Sequence, residues 1–437
     1  MRPLETKKIM NHPPIRIYNT LSRKKEAFLP RLNREVSFYS CGPTVYNYPH
    51  LGNLRTFLTV DFWVRFLEFV GWKVKLVNNI TDIDDKIIVA SAKAGQSVKE
   101  YTGVYTKAFF ANLNALKIRP ADVYPKATEH FAEIKKLVKT LEQKGFAYQT
   151  EDGIYFNIGK LASYGRLSGL AQQKLKAGAR ILADSYDKET PADFALWKTK
   201  ENRPGWHIEC SAMAAKYLDL PIDIHFGGQD LIFPHHENER AQTLAATGKE
   251  LSRFWLHAGY LLVDGKKMSK SLGNYYILSD IVKKGFSPLD FRYLCLTAGW
   301  REPLNFTWQA LAAAAAARQK IIHLRGGQPA PSEVEGMDSS EVENGRRQII
   351  AALSDNLNTA SAIGLLHEAA EPQLWREFDS IFQLGLEEGS RPKKIPTEIT
   401  ALAKKRDDLR QKGDFAAADK IREEIISQGY PVEDSKI

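Results

Sequence analysis

At 437 residues the chain is too long for one small domain and is expected to divide into about two to four. Its hydrophobic content of 43% supports buried cores, and its net charge of +9 suits a polyanion such as RNA without requiring one. Three cysteines, an odd and sparse count, argue against a disulfide framework and for a reducing cytoplasm, and the absence of a signal-like or membrane-length apolar run points to a soluble protein.

Val36 to Cys41 alternates apolar and polar residues as a strand should. Beyond Asn53, Phe57, Leu58, Phe62, Phe66 and Phe69 fall at helical spacing, and Gly71 supplies a stop. Lys73 to Asn78 alternates again, so the order strand, loop, helix, strand predicts the opening unit of a nucleotide-binding α/β fold. Residues 90–145 carry helical patterns, Gly153 to Phe156 reads as a strand, and Leu311 to Ala317 is an alanine-rich helical segment. Gly326 to Ser340 and Glu387 to Pro396 have linker composition, with helices expected between them from Arg346 to Leu386. Ile399, Leu402 and Leu409 space out a further helix. Asp414 is an N-cap for the next, with Phe415, Ala418, Ile421 and Ile425 on one face and Gly429 at its end. There is no internal repeat.

Cys41, Cys210 and the run Pro234-His235-His236-Glu237-Asn238-Glu239 supply two thiolates, an imidazole and a carboxylate, enough for one zinc ion. His235 and Glu239 are four residues apart and share a helical face, which favours His235 over His236. The plain alternative is a surface helix pair and two core cysteines. Two further stretches carry the marks of nucleotide handling: Pro49-His50-Leu51-Gly52-Asn53 and Lys267-Met268-Ser269-Lys270-Ser271.

These stretches occur in a fixed order with Cys41-Gly42-Pro43-Thr44-Val45-Tyr46, Asn79-Ile80-Thr81-Asp82-Ile83-Asp84-Asp85-Lys86 and Asp193-Phe194-Ala195-Leu196-Trp197-Lys198. Pro204-Gly205-Trp206-His207-Ile208-Glu209-Cys210-Ser211-Ala212-Met213 completes the set, and the lysine motif runs on through Asn274. Over roughly residues 15–310 the chain resembles the cysteinyl-tRNA synthetases, class I aminoacyl-tRNA synthetases. The resemblance implies an α/β fold: a Rossmann-like parallel-sheet domain split by a connective insertion, then a helical domain and a small C-terminal domain. The implied boundaries are 1–114 and 201–280 for the two catalytic halves, 115–200 for the insertion, 281–325 for a stem-contact region, 341–386 for a helical tRNA-binding domain and 397–437 for a short anticodon-binding region. It implies ATP-dependent ligation of L-cysteine to tRNA(Cys) through cysteinyl-adenylate, with zinc on Cys41, Cys210, His235 and Glu239, ATP accompanied by magnesium, and a monomer in the cytoplasm.

Adenylate formation builds negative charge on phosphate oxygens, so the catalyst must supply donors and positive charge there. His50 and Asn53 are expected where a loop enters a helix, whose amide dipoles favour the phosphates, with Gly52 leaving room for the nucleotide. Lys267 and Lys270, with Ser269, are expected to draw the phosphates in. Asn53 stands where the family has histidine; asparagine still donates a hydrogen bond but carries no charge. Gly42, Thr81, Trp206, His225 and Asp230 match family positions near bound cysteine, with Asp230 pairing its ammonium and Trp206 closing over it. Phe226, where a glycine is common, is expected to narrow the approach. Zinc would accept the substrate's thiolate and refuse serine's hydroxyl, a discrimination that a steric pocket provides only to roughly 1–3 kcal/mol.

Two rivals remain at this level. One is a ligase passing activated cysteine to a small amine, such as the aminosugar of mycothiol synthesis; the other is a catalytically silent zinc protein. Residues 341–430, reminiscent of the synthetase tail, favour tRNA over the first, and His50, Lys267 and Lys270 argue against the second. The short end at Val432 to Ile437 lacks an aromatic stacking platform, so weak anticodon discrimination is expected.

Overall fold

The computed structural model describes residues 12–170, 193–268, 273–326, 339–386 and 397–411, with residues 414, 415, 417–419, 421 and 422 beyond them. A hairpin of β1 (Arg16–Asn19) and β2 (Lys24–Ala27) leads into β3 (Glu35–Ser40), α1 (Leu51–Phe69) and β4 (Lys73–Asn78), the unit that the alternation predicts. Helices α2 (Asp85–Lys93), α3 (Val98–Ala115) and α4 (Phe131–Gln143) follow. Strands β5 (Ala147–Gln149), β6 (Gly153–Phe156), β7 (Phe194–Lys198) and β8 (Arg203–Pro204) form an antiparallel sheet in that order.

The chain then builds α5 (Ile208–Tyr217), β9 (Ile222–Gly228), α6 (Glu237–Thr247) and β10 (Ser252–Ala258). Next come β11 (Leu261–Val263), β12 (Lys266–Lys267), α7 (Leu278–Lys283), α8 (Pro288–Leu296), β13 (Leu304–Phe306) and α9 (Trp308–Gly326). Helices α10 (Ser339–Ser354), α11 (Thr359–Ala369), α12 (Pro372–Phe382) and α13 (Thr397–Gln411) complete the described elements. Beyond α13, Asp414 Oδ1 accepts from the Ala417 N–H at 3.1 Å, the expected cap, and Ile421 packs on Leu402 and Leu409. Ile425, Gly429, residues 327–338 of the first linker and the whole of the second lie outside the described residues.

Strands β10, β9, β3 and β4 lie side by side in that order, all parallel. The connection from β3 to β4 runs one way and that from β9 to β10 the other, so the strand order reverses between β3 and β9. In open parallel sheets the crevice at the carboxyl ends of such a pair is where ligands bind. Tyr39 faces His225 and Ser40 faces Phe226 across this junction. Successive side chains of a strand point to opposite faces. Phe226, fully buried, therefore packs into the core, its ring 5.8 Å from Trp300 and 6.2 Å from Phe38, while His225 turns to the other face. The expected narrowing of the approach by Phe226 is thus corrected: its ring faces away from the site.

Helix α1 is anchored from both sides. The buried Arg55 guanidinium donates to the carbonyls of Gly259, Tyr260, Gly299 and Glu302. Asp61 pairs with Arg292 of α8, both fully buried, and Arg292 also donates to the Phe382 carbonyl at the end of α12. Removing one partner of such a pair typically costs about 3–5 kcal/mol, because the other charge is left buried alone. With Phe69 against Phe378 at 5.3 Å, these contacts carry one apolar core from the parallel sheet into α10–α12. Among the described residues no helix is long and apolar enough to cross a membrane.

Candidate active site: a metal-ligand cluster beneath a cleft

Cys41 leaves the carboxyl end of β3 and joins β9 through its N–H, which donates to the Phe226 carbonyl at 3.0 Å. Cys210 sits in the first turn of α5 and Glu239 in the first turn of α6. His235 and His236 belong to a π-type turn (Ile232–His236) that leads into α6, where Phe233 leaves helical dihedrals at φ −139° and ψ 131°. Helix α6 therefore starts later than the His235–Glu239 spacing presumes. The contact nonetheless forms, with His235 Nε2 3.0 Å from Glu239 Oε1. The Cys41 Sγ lies 3.5 Å from Glu239 Oε1 and 3.7 Å from His235 Nε2.

The donor atoms of Cys41, Cys210, His235 and Glu239 all lie within 4.8 Å of one another, and all four side chains are buried. A second set with the same closeness comprises Cys41, His225, His236 and Glu239. Hydrogen bonding favours the first. His235 Nδ1 is 3.0 Å from the Trp206 carbonyl, which can only accept, so Nδ1 carries a proton and Nε2 is the nitrogen that faces the cluster. His236 Nε2 lies 3.3 Å from the Cys41 Sγ, but its Nδ1 is 2.8 Å from His257 Nε2, which can donate as well as accept and so does not fix the tautomer as the carbonyl does. The first set also holds both thiols, the donors that soft metals prefer.

Electrostatics fit a bound cation. Burial alone would raise Glu239, but His225 and His235 beside it hold the carboxylate down at about 2. Burial would likewise raise the Cys210 thiol, but hydrogen bonds from Cys41 and His235 bring it to about 6. His235 is pushed well above the ordinary imidazole value: burial opposes protonation, but Cys210 and Glu239 outweigh it, so these anionic neighbours draw a proton to Nε2 when no metal is there to take its place. Among the described residues the ion-pair partners of Glu239 are all histidines. A buried carboxylate with two thiols and no lysine or arginine partner is a donor set that a divalent metal satisfies.

Above the cluster opens a cleft of about 270 Å³, lined by Cys41 and Gly42, by His50 and Asn53, and by Trp206 and Asp230. A larger surface recess between Arg23 and Arg166 includes none of these groups. His50 is the N-cap of α1, and its Nδ1 accepts from the Asn53 N–H at 3.2 Å, which leaves the imidazole proton on Nε2. Burial lowers this imidazole to about 4, so it is neutral at physiological pH. A Cβ on Gly52 would stand 2.9 Å from His50 Cε1 and 3.2 Å from Met268 Cε. Gly52 thus clears space for the folded-back imidazole, a more direct reason for glycine than approach of the nucleotide.

The remaining expected site residues divide. Gly42 donates its N–H to Asn79 Oδ1 at 2.9 Å, and a Cβ there would overlap the Asn79 carbonyl oxygen. Thr81 is buried, its hydroxyl accepting from Asn79 Nδ2 at 3.1 Å. Trp206 is 42% exposed with its ring 4.5 Å from His235, a cleft residue and not a core one. Asp230, in a short 3-10 turn (Gln229–Leu231), lines the opposite rim. His225 is fully buried, with Nε2 3.1 Å from Glu239 Oε2. Lys267 rests its ammonium 4.3 Å over the Tyr260 ring, while Ser269 and Lys270 lie outside the described residues. Sequence reasoning missed Asn79, which orients both Gly42 and Thr81, and Tyr275, which lines the cleft; their places beside the recognised motifs were the available signal.

A parallel sheet with a reversed strand order, a histidine-capped helix at its crevice and an antiparallel insertion between its halves define the class I tRNA synthetase catalytic fold. Residues 27–316 match the family of "tRNA synthetases class I (C) catalytic domain". A cysteine--tRNA ligase of Solibacter usitatus is 39% identical, covering 97% of this chain and 98% of that protein; one of Thermococcus onnurineus is 38% identical over 96% and 97%. The chain belongs to the cysteinyl-tRNA synthetase family. Among solved structures, Mycobacterium tuberculosis methionyl-tRNA synthetase with methionyl-adenylate is similar in fold, with a TM-score of 0.58 at 15% identity, covering 82% of this chain and 86% of that one.

Proposed function

We infer that this chain is a cysteine–tRNA ligase: it activates L-cysteine with ATP and transfers it to tRNA(Cys). The observation that carries this reading is that Cys41, a member of the thiol-rich cluster, lines the same cleft as His50 and Asn53. Relatives named for this activity match nearly the whole chain, including the helices beyond residue 316, so transfer to a small amine is not favoured.

In the first step the carboxylate of cysteine attacks the α-phosphorus of ATP and pyrophosphate leaves. In the second, a ribose hydroxyl at the 3′ end of tRNA attacks the carbonyl and AMP leaves. We assign Cys41, Cys210, His235 and Glu239 as zinc ligands; zinc when bound supplies a soft Lewis acid that takes a thiolate and refuses a hydroxyl. Trp206 orients His235 through its carbonyl and screens the cleft, and His225 supports the Glu239 carboxylate. Asp230 meets the substrate ammonium, and Gly42 and Thr81 shape the floor. His50 Nε2–H and the Asn53 amide donate to the phosphates, Gly52 and Ser269 keep their loops close to the nucleotide, and Lys267 and Lys270 add positive charge, with magnesium accompanying ATP. Residues 1–114 and 201–280 are assigned as the catalytic halves around an insertion at 115–200. Residues 281–325 meet the tRNA stem, and 341–386 and 397–437 bind tRNA. The three free cysteines suit a cytoplasmic enzyme, which we take to act as a monomer.

Cysteine-dependent ATP–pyrophosphate exchange and charging of tRNA(Cys) test the assignment. Both are expected. Exchange without charging would favour the small-amine ligase, and no exchange would contradict activation altogether.

A further inference from the structure

The stretch after the lysine motif returns to the start of α1. The Leu51 N–H donates to the Tyr276 carbonyl at 2.9 Å, and His50 pairs with Ile277 as an antiparallel bridge. One residue earlier, the Tyr275 hydroxyl donates to the Tyr48 carbonyl at 3.1 Å. The Tyr275 ring meets the His50 imidazole edge to face, centroids 5.3 Å apart at 77°. Aromatic rings prefer this arrangement, with the positive edge of one against the negative face of the other.

Each remaining freedom of the imidazole is limited by another neighbour. Its Nδ1 is tied to the Asn53 N–H, and its Cε1 edge fills the space where a Gly52 Cβ would stand. Tyr275 supplies a further boundary, and its hydroxyl fixes the ring itself to the segment that precedes His50. Burial, with Tyr46 adding to it, pushes this phenol up to about 12, so it stays protonated and keeps donating.

We propose that Tyr275 is a positioning residue for adenylate formation, acting through His50 by holding the imidazole with Nε2–H directed into the cleft. The inference rests on the proposed function and deepens it. A donor that meets the phosphates only as charge develops must be held in place beforehand, and small misplacement is costly. The ring contact carries most of the effect, and the hydroxyl sets the ring.

A double-mutant cycle tests this, using single-turnover cysteinyl-adenylate formation so that slow variants are measurable. Tyr275→Leu is expected to lower the rate by on the order of tenfold to a hundredfold with the KM for cysteine unchanged. Tyr275→Phe, which keeps the ring, should stay within about threefold of the parent, the scale of one part-exposed hydrogen bond. In a His50→Ala background, Tyr275→Leu should cost less than about twofold, because its route is already gone. Tyr275→Met carries the same cycle if the leucine variant does not fold. Equal losses in both backgrounds, or no loss in the parent, would overturn the inference. A parent chain without cysteine-dependent exchange would contradict the proposed function itself, and this inference with it.

Discussion

His50 and Asn53 hydrogen-bond each other twice across the first turn of α1. The Asn53 N–H donates to His50 Nδ1, and the His50 N–H donates to Asn53 Oδ1, both at 3.2 Å. This reciprocal cap satisfies two backbone donors that a helix start leaves open. It also fixes the orientation of Asn53. With Oδ1 committed to the backbone, the amide NH₂ is the group left for a phosphate. Asparagine can therefore replace the histidine that the family has here, because the hydrogen-bond donor is retained.

Asn53→His should accordingly be tolerated, with pyrophosphate exchange within about threefold of the parent, since one neutral donor replaces another. Asn53→Ala removes the acceptor of the His50 N–H and the amide donor, while the backbone N–H at 53 still bonds His50 Nδ1. It should cost about 0.5–1 kcal/mol of stability and on the order of tenfold to a hundredfold in exchange. Denaturant melts and exchange rates on the two variants check this. Inactivation by histidine would mean the cleft is built specifically around asparagine.

The hydrogen bond from His235 to the Trp206 carbonyl supports our assignment of His235, and not its neighbour, as a metal ligand. His235→Ala and Cys210→Ser should each lower zinc content, and their combination should abolish it, whereas His236→Ala should keep close to one equivalent. Elemental analysis of the purified variants decides. Full zinc in the double variant, or loss in His236→Ala alone, would transfer the site to the second cluster.

Lys270→Ala should slow adenylate formation by roughly a hundredfold while cysteine binding changes little, because the charge matters mainly in the transition state. Single-turnover rates and cysteine titration separate the two quantities. An unchanged rate would remove Lys270 from the catalytic set.

His50 has a folded pKa of about 4, lowered by burial from an ordinary value of 6.5. Below 6.5 the unfolded chain binds a proton that the folded chain refuses. The contribution of His50 to stability is thus complete above 6.5 and is lost as pH falls through that value towards about 4. Equilibrium unfolding from pH 4 to 8 should therefore show a shallower fall toward acid in His50→Gln than in the parent. Identical slopes would mean that His50 is not buried in its neutral form.

Much of this was legible in the sequence. Apolar period declared the strand at Val36–Cys41, the helix α1 and the strand at Lys73–Asn78, found as Glu35–Ser40, Leu51–Phe69 and Lys73–Asn78. β9 was not singled out, although Ile222, Ile224 and Phe226 alternate with Asp223 and His225; the stretch from His225 was read as a loop because Gly227 and Gly228 follow. The inward direction of Phe226 was available in that alternation, since it shares a face with Ile222 and Ile224. That Cys41, Cys210, His235 and Glu239 would meet was legible because few residue types suit a metal. The π-type turn at Ile232–His236 was not, since nothing local distinguishes it from the first turn of a helix. The tyrosine pair at 275 and 48 depends on where two distant loops meet, which only tertiary structure determines.

The central claim is that cysteine is selected by a metal held on Cys41, Cys210, His235 and Glu239. The most direct measurement is pyrophosphate exchange with cysteine and with serine on one preparation, before and after zinc is removed and restored. The account predicts about one equivalent of zinc per chain. It also predicts exchange that favours cysteine over serine by at least about a thousandfold, and loss of cysteine-dependent exchange on chelation that zinc reverses. Serine activated within about a hundredfold of cysteine, or cysteine-dependent exchange that survives complete zinc removal, would contradict it.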